Sequence, residues 1–312
     1  MARKKIALIG AGNIGGTMAL VLAQKQLGDV MLIDIAEGVP QGKALDVMES
    51  RLPMNIAAVI AGSNSYDDLA GSDVVIVTAG VPRKPGQTRN DLIGINLPII
   101  KQVGEAIKTK APNAFVIVVT NPLDAMVYAM QKITGFAKEK VVGMAGVLDS
   151  SRLACFVAME LGVSADDVQA TVLGGHGPDM VSLYNSVSVG GIPLPQLMDK
   201  ETFAKISKRT ADAGTEIVQL LKTSAFCSPA ICSVRMAEAY LLDKKSVLTC
   251  AAKLDGEFGI KGGLYCGVPV VMGAGGVEKI IEIEMTEEEK AAFAKSVASV
   301  KEQCDFVDTQ IK

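Results

Sequence analysis

The whole chain contains one histidine, and its surroundings favour proton-transfer chemistry. His176 lies in the segment GGHGP at 174–178, where small neighbours leave the imidazole accessible to a ligand. An imidazole titrates near neutral pH, so it can accept a proton from an alcohol and return it in the reverse reaction. A histidine in a loop is more often a surface or packing residue. The glycine setting and the residues described next favour the catalytic alternative.

Asp149 and Arg152 are three residues apart at the start of a predicted helix, so their side chains can project from one face. The structural alternative is an N-capping aspartate beside an exposed arginine. In the functional alternative, Asp149 holds His176 in one tautomer and stabilises its cationic form. Arg152 then grips a carboxylate with its planar guanidinium. The spacing therefore indicates an anion site beside a catalytic pair.

A basic segment, GVPRKPGQTR at 80–89, follows the fourth predicted strand. This is the carboxyl edge, where doubly wound sheets bind ligands. Two prolines and two glycines frame its three cations, Arg83, Lys84 and Arg89. Closure of such a loop can bring arginines over an anionic substrate and exclude water. The alternative is a solvated basic loop.

A glycine-rich turn follows the first predicted strand and opens a helix. Its residues are Gly10, Ala11, Gly12, Asn13, Ile14 and Gly15. The glycines permit a tight turn and let backbone N–H groups approach a pyrophosphate. Asp34, at the end of the next predicted strand, can accept hydrogen bonds from the adenosine ribose and repels a 2′-phosphate. The pattern predicts NAD rather than NADP, and a glycine-rich turn without a ligand is the alternative.

Short apolar runs alternate with helical patterns in the first half of the chain. The predicted strands are 6–9, 30–33, 57–61, 74–79, 115–119 and 141–144. Continuous Val and Ile runs are typical of parallel strands that are covered on both faces. The sequence therefore predicts an α/β fold, with a Rossmann doubly wound parallel sheet over residues 1–146.

The regular alternation of short apolar runs and helical patterns ends after residue 146. This change predicts an α+β catalytic domain over residues 147–312. Its predicted helices are 149–161, 200–221, 230–242 and one that begins at about Glu287, and its strand-like runs are 168–173, 181–189, 246–251, 268–272 and 279–283. Four residues of the last helix, Phe293, Val297, Val300 and Cys304, fall at helical spacing. They predict a buried stripe.

Composition narrows the class of protein. The net charge is −3 without a basic block, which argues against a nucleic-acid partner. No apolar run approaches the roughly 18 residues of a membrane span, and we find no export signal. Six cysteines without a Cys-x-x-Cys pair predict buried, reduced thiols in a cytoplasmic protein. A single histidine disfavours a zinc site, so we expect no metal.

Five ordered motifs resemble the lactate and malate dehydrogenase family over essentially the whole chain. They are GAGNIGGT at 10–17, VPRKPGQTRNDL at 81–92, VTNPLD at 119–124, LDSSRL at 148–153 and GGHGPDMV at 174–181. The resemblance is closest to bacterial members that act on malate and are built like lactate dehydrogenase. It implies a Rossmann domain followed by a catalytic domain, assembled as a homodimer or homotetramer.

The resemblance also implies a role for each catalytic residue. His176 corresponds to the proton acceptor of the family, and Asp149 to its partner. Arg152 corresponds to the residue that binds the C1 carboxylate. Arg89 is then expected to polarise the C2 carbonyl, and Asn121 to donate a hydrogen bond to the substrate oxygen beside the nicotinamide.

Arg83 is the residue expected to select the substrate. Lactate dehydrogenases of the family usually carry glutamine there, whereas a cation favours the C4 carboxylate of oxaloacetate over pyruvate. The resemblance thus implies NAD-dependent oxidation of (S)-malate to oxaloacetate, and it places Asn96, Val119, Thr120 and Asn121 against the cofactor. The alternatives are a lactate or other 2-hydroxyacid dehydrogenase, and a catalytically silent NAD-binding protein.

Overall fold

The computed structural model describes residues 3–82 and 86–311. Arg83, the predicted selector of the substrate, lies outside the described residues, as do its neighbours Lys84 and Pro85. The described chain forms a nine-stranded sheet with helices on both faces, together with two small antiparallel sheets. The predicted α/β class is confirmed.

The first six strands are parallel and lie in the order β3-β2-β1-β4-β5-β6. They are β1 (Lys5–Ile9), β2 (Asp29–Ile33), β3 (Ile60–Ser63), β4 (Val74–Val77), β5 (Phe115–Val118) and β6 (Val141–Gly143). This is the strand order of a Rossmann sheet, in which ligands bind outside the carboxyl ends of the strands where the order reverses. Here the reversal lies between β1 and β4.

The edge strand β3 departs furthest from its predicted position, since the apolar run 57–61 predicted it three residues too early. Pairing with β2 sets its register, with Ile60 opposite Val30 and Ser63 opposite Ile33. Gly62 is a poor strand former, yet a Cβ there would come within 2.3 Å of the Gln41 nitrogen. The close approach of a neighbouring helix therefore explains why β3 contains Gly62, a residue that the apolar run did not include.

Three strands from the second half extend the same sheet, which the sequence did not predict. They are β12 (Ser246–Lys253), β13 (Tyr265–Gly273) and β14 (Gly276–Ile280), all antiparallel to their neighbours. The junction is narrow, since Ala251 of β12 pairs with Gly143 of β6. A Cβ on Gly143 would lie 2.9 Å from that of Ala251, so the junction requires small residues.

Most of the described helices lie on the two faces of this sheet. The described helices are α1 (Asn13–Gln24), α2 (Val39–Glu49), α3 (Arg51–Met54), α4 (Arg89–Lys110), α5 (Leu123–Thr134), α6 (Gly146–Leu161), α7 (Lys200–Leu221), α8 (Cys227–Leu241) and α9 (Glu287–Gln310). One buried cluster joins α1 and α8 to one face, and another joins α4, α5 and α9 to the opposite face. Helices of the second half thus close both faces.

The remaining strands are two residues long and form the small sheets. They are β7 (Val168–Gln169), β8 (Val172–Leu173), β9 (Val181–Ser182), β10 (Ser188–Val189) and β11 (Ile192–Pro193). The predicted runs 168–173 and 181–189 are therefore each broken in two. A third buried cluster packs this region against α6 and α7.

The final helix follows its prediction closely. It begins at Glu287, where Thr286 and Glu289 form a capping box. Phe293, Val300 and Cys304 are buried, and Val297 is partly buried. The predicted apolar stripe therefore packs against the sheet layer.

The thiols are all free, but they are not all buried. Cys232, Cys250, Cys266 and Cys304 are buried, whereas Cys155 and Cys227 are exposed. The prediction of buried cysteines was therefore wrong for two helical positions. None of the helices in the described part of the chain is long and apolar enough to cross a membrane.

Candidate active site

His176 and Asp149 meet between the loop that follows β8 and the first turn of α6. His176 Nδ1 lies 2.8 Å from Asp149 Oδ2, and the aspartate side chain is 3% exposed. Because α6 begins at Gly146, Asp149 lies inside the helix and does not cap it. Its carboxylate still benefits from the positive end of the helix dipole. The N-capping alternative was wrong, and the predicted pairing is present.

The environment of His176 favours its protonated form. Burial lowers the pKa of His176, but the charge of Asp149 and the hydrogen bond to it raise it. Arg152 opposes this effect and Asp124 adds to it, so that the pKa of His176 lies above its ordinary value. The imidazole can therefore hold a proton near neutral pH and transfer it to a bound ligand.

Arg152 lies beside this pair with its guanidinium partly free. Its Nη1 is 3.4 Å from Asp149 Oδ1, and its side chain is 13% exposed. Its buried Nε has no hydrogen-bond partner within residues 3–82 and 86–311. Gly214 of α7 lies nearby, and a Cβ there would be in ordinary van der Waals contact with Arg152 Nη2, at 3.8 Å. A buried guanidinium with an unsatisfied donor suits a carboxylate ligand.

The backbone of the histidine loop is anchored from several elements. Gly174 exchanges backbone hydrogen bonds with Gly267 of β13, at 2.9 and 3.0 Å. The Gly175 N–H donates to Ser296 Oγ of α9, at 2.9 Å. Close packing also requires glycine at position 175, because a Cβ there would come within 2.6 Å of Val300 Cγ2. Side chains at these positions would displace the histidine.

Asp124 is a second carboxylate at this loop, and sequence reasoning assigned it no role. The His176 N–H donates to Asp124 Oδ2 at 2.8 Å. Asp124 lies in the first turn of α5 and is 3% exposed. The signal available in the sequence was its place at the end of the VTNPLD motif at 119–124.

Arg89 is near the histidine loop, but its donors are directed towards α9 and the end of the loop. Its Nη1 donates to Ser299 Oγ at 2.8 Å, and its Nη2 is 3.9 Å from Asp179 Oδ2. A small cavity of about 10 Å³ has both Arg89 and His176 in its lining. The predicted contact of Arg89 with substrate requires the guanidinium to leave Ser299.

Asn96 joins the basic segment to the chain after β5. Its Nδ2 donates to the Asn121 carbonyl at 2.7 Å and to the Val81 carbonyl at 3.1 Å, and its Oδ1 accepts from the Val81 N–H at 2.8 Å. Asn96, Val119 and Thr120 are buried, whereas Asn121 is exposed. These positions lie at the carboxyl edge of the sheet, and their contact with the cofactor stays a prediction.

The glycine-rich turn leads from β1 into α1, as predicted. Gly10 has φ +108°, a conformation that L side chains rarely adopt. A Cβ on Gly15 would collide with the Gly10 carbonyl oxygen, so this glycine is needed for close packing within the turn. A Cβ on Gly12 would meet nothing within 4 Å. The packing of the protein therefore does not require glycine at position 12, and the contact of this glycine with a cofactor stays a prediction.

Asp34 stabilises this turn, and its hydrogen bond to the adenosine ribose stays a prediction. Its Oδ2 accepts from the Ala11 N–H at 2.6 Å, and its Oδ1 accepts from the Ala36 N–H at 3.0 Å. Lys43, a residue that sequence reasoning did not assign, donates to the Gly12 carbonyl at 2.7 Å. The turn thus combines free helix N–H groups, an acid at the strand end and a nearby cation. These features fit a dinucleotide with a negatively charged pyrophosphate.

Comparison with known families assigns both halves of the chain. Residues 4–143 match the family model described as lactate/malate dehydrogenase, NAD binding domain, and residues 146–309 match that of the lactate/malate dehydrogenase alpha/beta C-terminal domain. The chain belongs to the lactate/malate dehydrogenase family. NAD is the cofactor of the first matched domain of this family, which confirms the prediction from the glycine-rich turn.

Individual members of the lactate/malate dehydrogenase family are similar over the full length. A malate dehydrogenase of Caulobacter sp. strain K31 is 58% identical, and one of Cereibacter sphaeroides is 57% identical, each match covering 100% of both chains. The crystal structure of Cryptosporidium parvum malate dehydrogenase is 48% identical with a TM-score of 0.96, covering 98% of this chain and 99% of that one. A lactate dehydrogenase from Cryptosporidium parvum, complexed with lactic acid and nicotinamide adenine dinucleotide, is 46% identical with the same TM-score, covering 99% of both chains.

Proposed function

We propose that this chain catalyses the reversible, NAD-dependent oxidation of (S)-malate to oxaloacetate. The observation that carries the proposal is the contact of His176 with Asp149 at 2.8 Å, with the Arg152 guanidinium beside them. A proton acceptor next to a carboxylate-binding cation is what the oxidation of a 2-hydroxy acid requires. The full-length relatives named malate dehydrogenase support this choice of substrate.

In the direction of malate oxidation, His176 accepts the proton of the C2 hydroxyl. Asp149 keeps the Nδ1 side of the ring occupied, so that Nε2 is the nitrogen available to the substrate. The same carboxylate stabilises the imidazolium that forms. In the reverse direction, the protonated ring returns its proton to the carbonyl oxygen of oxaloacetate. When bound, NAD supplies the hydride acceptor for the C2 hydrogen.

The substrate is held through its two carboxylates. Arg152 binds the C1 carboxylate, and Arg83 binds the C4 carboxylate when the basic segment closes. Asn121 donates to the substrate oxygen at C2, and Arg89 stabilises negative charge on that oxygen after it leaves Ser299. Binding at both ends orients C2 in one pose, which lowers the entropic part of the barrier.

The preference for oxaloacetate over pyruvate depends on Arg83. Pyruvate has no C4 carboxylate, so it would leave this arginine desolvated and unpaired in the closed site. An unpaired buried charge costs on the order of several kcal/mol, which corresponds to roughly a thousandfold or more in discrimination. Glutamine at the same position carries no charge and removes this penalty.

The test compares NADH oxidation with oxaloacetate and with pyruvate, at matched concentrations of purified protein. The chain should strongly prefer oxaloacetate, and Arg83→Gln should shift kcat/KM towards pyruvate. Lys84→Gln is the matched control, because it removes the neighbouring cation and should preserve the preference. An unchanged preference in Arg83→Gln would remove the selectivity argument, and absence of turnover with both acids would favour a silent NAD-binding protein.

The second candidate function is lactate dehydrogenase. It is favoured by the structural similarity to the Cryptosporidium parvum lactate dehydrogenase at a TM-score of 0.96. The His176–Asp149 pair and Arg152 serve both reactions equally, because both substrates have a C1 carboxylate and an oxygen at C2. A pyruvate preference in the same assay would select this alternative.

We also propose a homodimer or homotetramer. Helix α1 packs against both α2 and α8, and each of the three exposes a large apolar side chain: Leu20, Leu45 and Ile231, respectively. Neighbouring exposed apolar side chains are typical of a subunit interface. Light scattering after size-exclusion chromatography should give a mass two or four times that of the 32.6 kDa chain.

We also propose that the protein is located in the cytoplasm. The six cysteine thiols are free, which suits a reducing compartment. Fractionation of cells that express the protein should recover NADH-dependent oxaloacetate reduction in the cytosolic fraction. Recovery in the periplasmic or membrane fraction would contradict the proposal.

A further inference from the structure

Asp124 is a buried carboxylate that is only half satisfied. Its Oδ2 accepts the His176 N–H at 2.8 Å, whereas its Oδ1 has no hydrogen-bond partner within the described part of the chain. Desolvation of a carboxylate is costly unless each oxygen is compensated, and burial raises the pKa of Asp124 to about 6. An uncharged residue of the same size would avoid much of this cost. The fold thus retains a destabilising group in contact with the backbone of the histidine.

The charges around Asp124 come from several elements packed around the histidine loop. The acidic groups are Asp149 of α6 and Asp179 of the loop. The cationic groups are His176, Arg152 of α6, Arg89 of α4 and Lys295 of α9. The nearby thiols are Cys266 of β13 and Cys304 of α9. Lys295 pairs with Asp179 at 3.1 Å. His176 is the group that contacts the Asp124 carboxylate directly through its backbone.

We propose that Asp124 is a positioning residue that acts through His176 in the reaction proposed above. Its hydrogen bond holds the main chain of the histidine, so that Nδ1 reaches Asp149. Its negative charge also favours the imidazolium, in addition to the charge of Asp149. The second carboxylate therefore adjusts the pH range in which the histidine carries its proton.

Two substitutions separate position from charge. Asp124→Asn keeps the size and an acceptor oxygen but removes the charge, so it should lower the pKa of His176. Asp124→Ala also removes the acceptor, so it should lower kcat by about tenfold or more through misplacement of the imidazole. The Kd of NADH should change little in either variant, because Asp124 contacts the histidine loop and not the glycine-rich turn.

The decisive measurement is an NMR titration of the imidazole, which is unambiguous because the chain has one histidine. It is performed on the full-length, untagged protein and needs no turnover. Oxaloacetate reduction requires protonated His176, so its kcat/KM should fall as the pH rises through the pKa of this residue. In Asp124→Asn this fall should occur at a lower pH, and the shift should equal the change in the His176 pKa measured by NMR. The NMR titration tests the inference even if the proposed substrate is wrong.

Asp308→Asn is the matched control. Asp308 of α9 accepts from the Tyr128 hydroxyl at 2.9 Å and from Lys132 Nζ at 2.6 Å, so it also joins α9 to α5. Its removal should change the thermal stability but not the His176 titration. The proposal is overturned if the His176 pKa in Asp124→Asn equals that of the unsubstituted protein, or if Asp124→Ala retains full kcat.

Discussion

Among single residues, the candidate site consists of carboxylates that alternate with groups able to carry a positive charge. His176 lies between the carboxylates Asp149 and Asp124, and Arg152 lies on the far side of Asp149. The carboxylates stabilise the imidazolium, and the guanidinium limits this effect while it remains available to an anion. The histidine can thus exist in either protonation state near neutral pH, as a reversible reaction requires.

The proton-transfer role of His176 predicts the effect of its removal. His176→Asn should reduce kcat for malate oxidation by a factor of about a hundred to ten thousand. The Kd of NADH, measured by its fluorescence, should stay within about twofold, since the asparagine is remote from the glycine-rich turn. A variant that retained substantial turnover would contradict the role assigned to the histidine.

The same residue predicts opposite pH dependences for the two directions. Malate oxidation needs the neutral imidazole, so its kcat/KM should fall as the pH decreases through the pKa of His176. Oxaloacetate reduction needs the imidazolium, so its kcat/KM should fall as the pH rises through that pKa. Both transitions should lie above the ordinary histidine value, because the two aspartates together outweigh burial. Rate profiles that change in the same sense would exclude His176 as the shared group.

At the scale of elements, the cofactor site is a strand, a turn and a helix held by local geometry. The N-terminus of α1 has no side-chain cap, which leaves its first N–H groups free for a ligand. Glycines of the turn serve different purposes: Gly10 needs its positive φ, Gly15 needs close packing, and Gly12 faces open space.

This difference predicts different results for two similar substitutions. Gly12→Ala should leave the melting temperature of the protein without NADH within a degree or two, because its φ of −67° suits alanine and its Cβ meets no atom within 4 Å. It should raise the Kd of NADH by about tenfold or more, because the methyl group occupies the path of the pyrophosphate. Gly15→Ala is the comparison and should lower the melting temperature, since its Cβ collides with the Gly10 carbonyl oxygen. Unchanged NADH affinity in Gly12→Ala would contradict the predicted approach of the pyrophosphate to Gly12.

At the scale of the whole molecule, the two halves share one sheet and two cores. β12 pairs with β6, α8 packs against α1, and α9 packs against α5. The two matched family domains therefore differ from independent modules joined by a linker, because apolar surface of the first is covered by helices of the second.

Such sharing predicts cooperative unfolding. Calorimetry of the full chain should show one transition, and saturating NADH should move the whole transition to higher temperature. Residues 1–146 alone should fail to fold stably, because the apolar surfaces that α8 covers on α1 and β5, and that α9 covers on α4 and α5, would be exposed to water. Two separate transitions, with only the first shifted by NADH, would contradict this prediction.

The features predicted correctly from the sequence are those that are local or repeated along the chain. Apolar runs located five of the six parallel strands, and helical spacing located α7 and α9. The glycine-rich turn with Asp34 identified the cofactor, and Asp149 with His176 formed the predicted pair. These features depend on periodicity, on backbone conformation or on motifs in which the spacing fixes the geometry.

Contacts between distant residues could not be predicted from the sequence and became visible in the folded chain. The contact of Arg89 with Ser299, the hydrogen bond from the His176 backbone to Asp124 and the extension of the sheet by β12–β14 join segments far apart in the chain. Hydrophobic periodicity specifies which face of an element is buried, but not the element that covers it. That choice follows from packing of the whole chain, which also places the incompletely satisfied carboxylate of Asp124 against the backbone of His176.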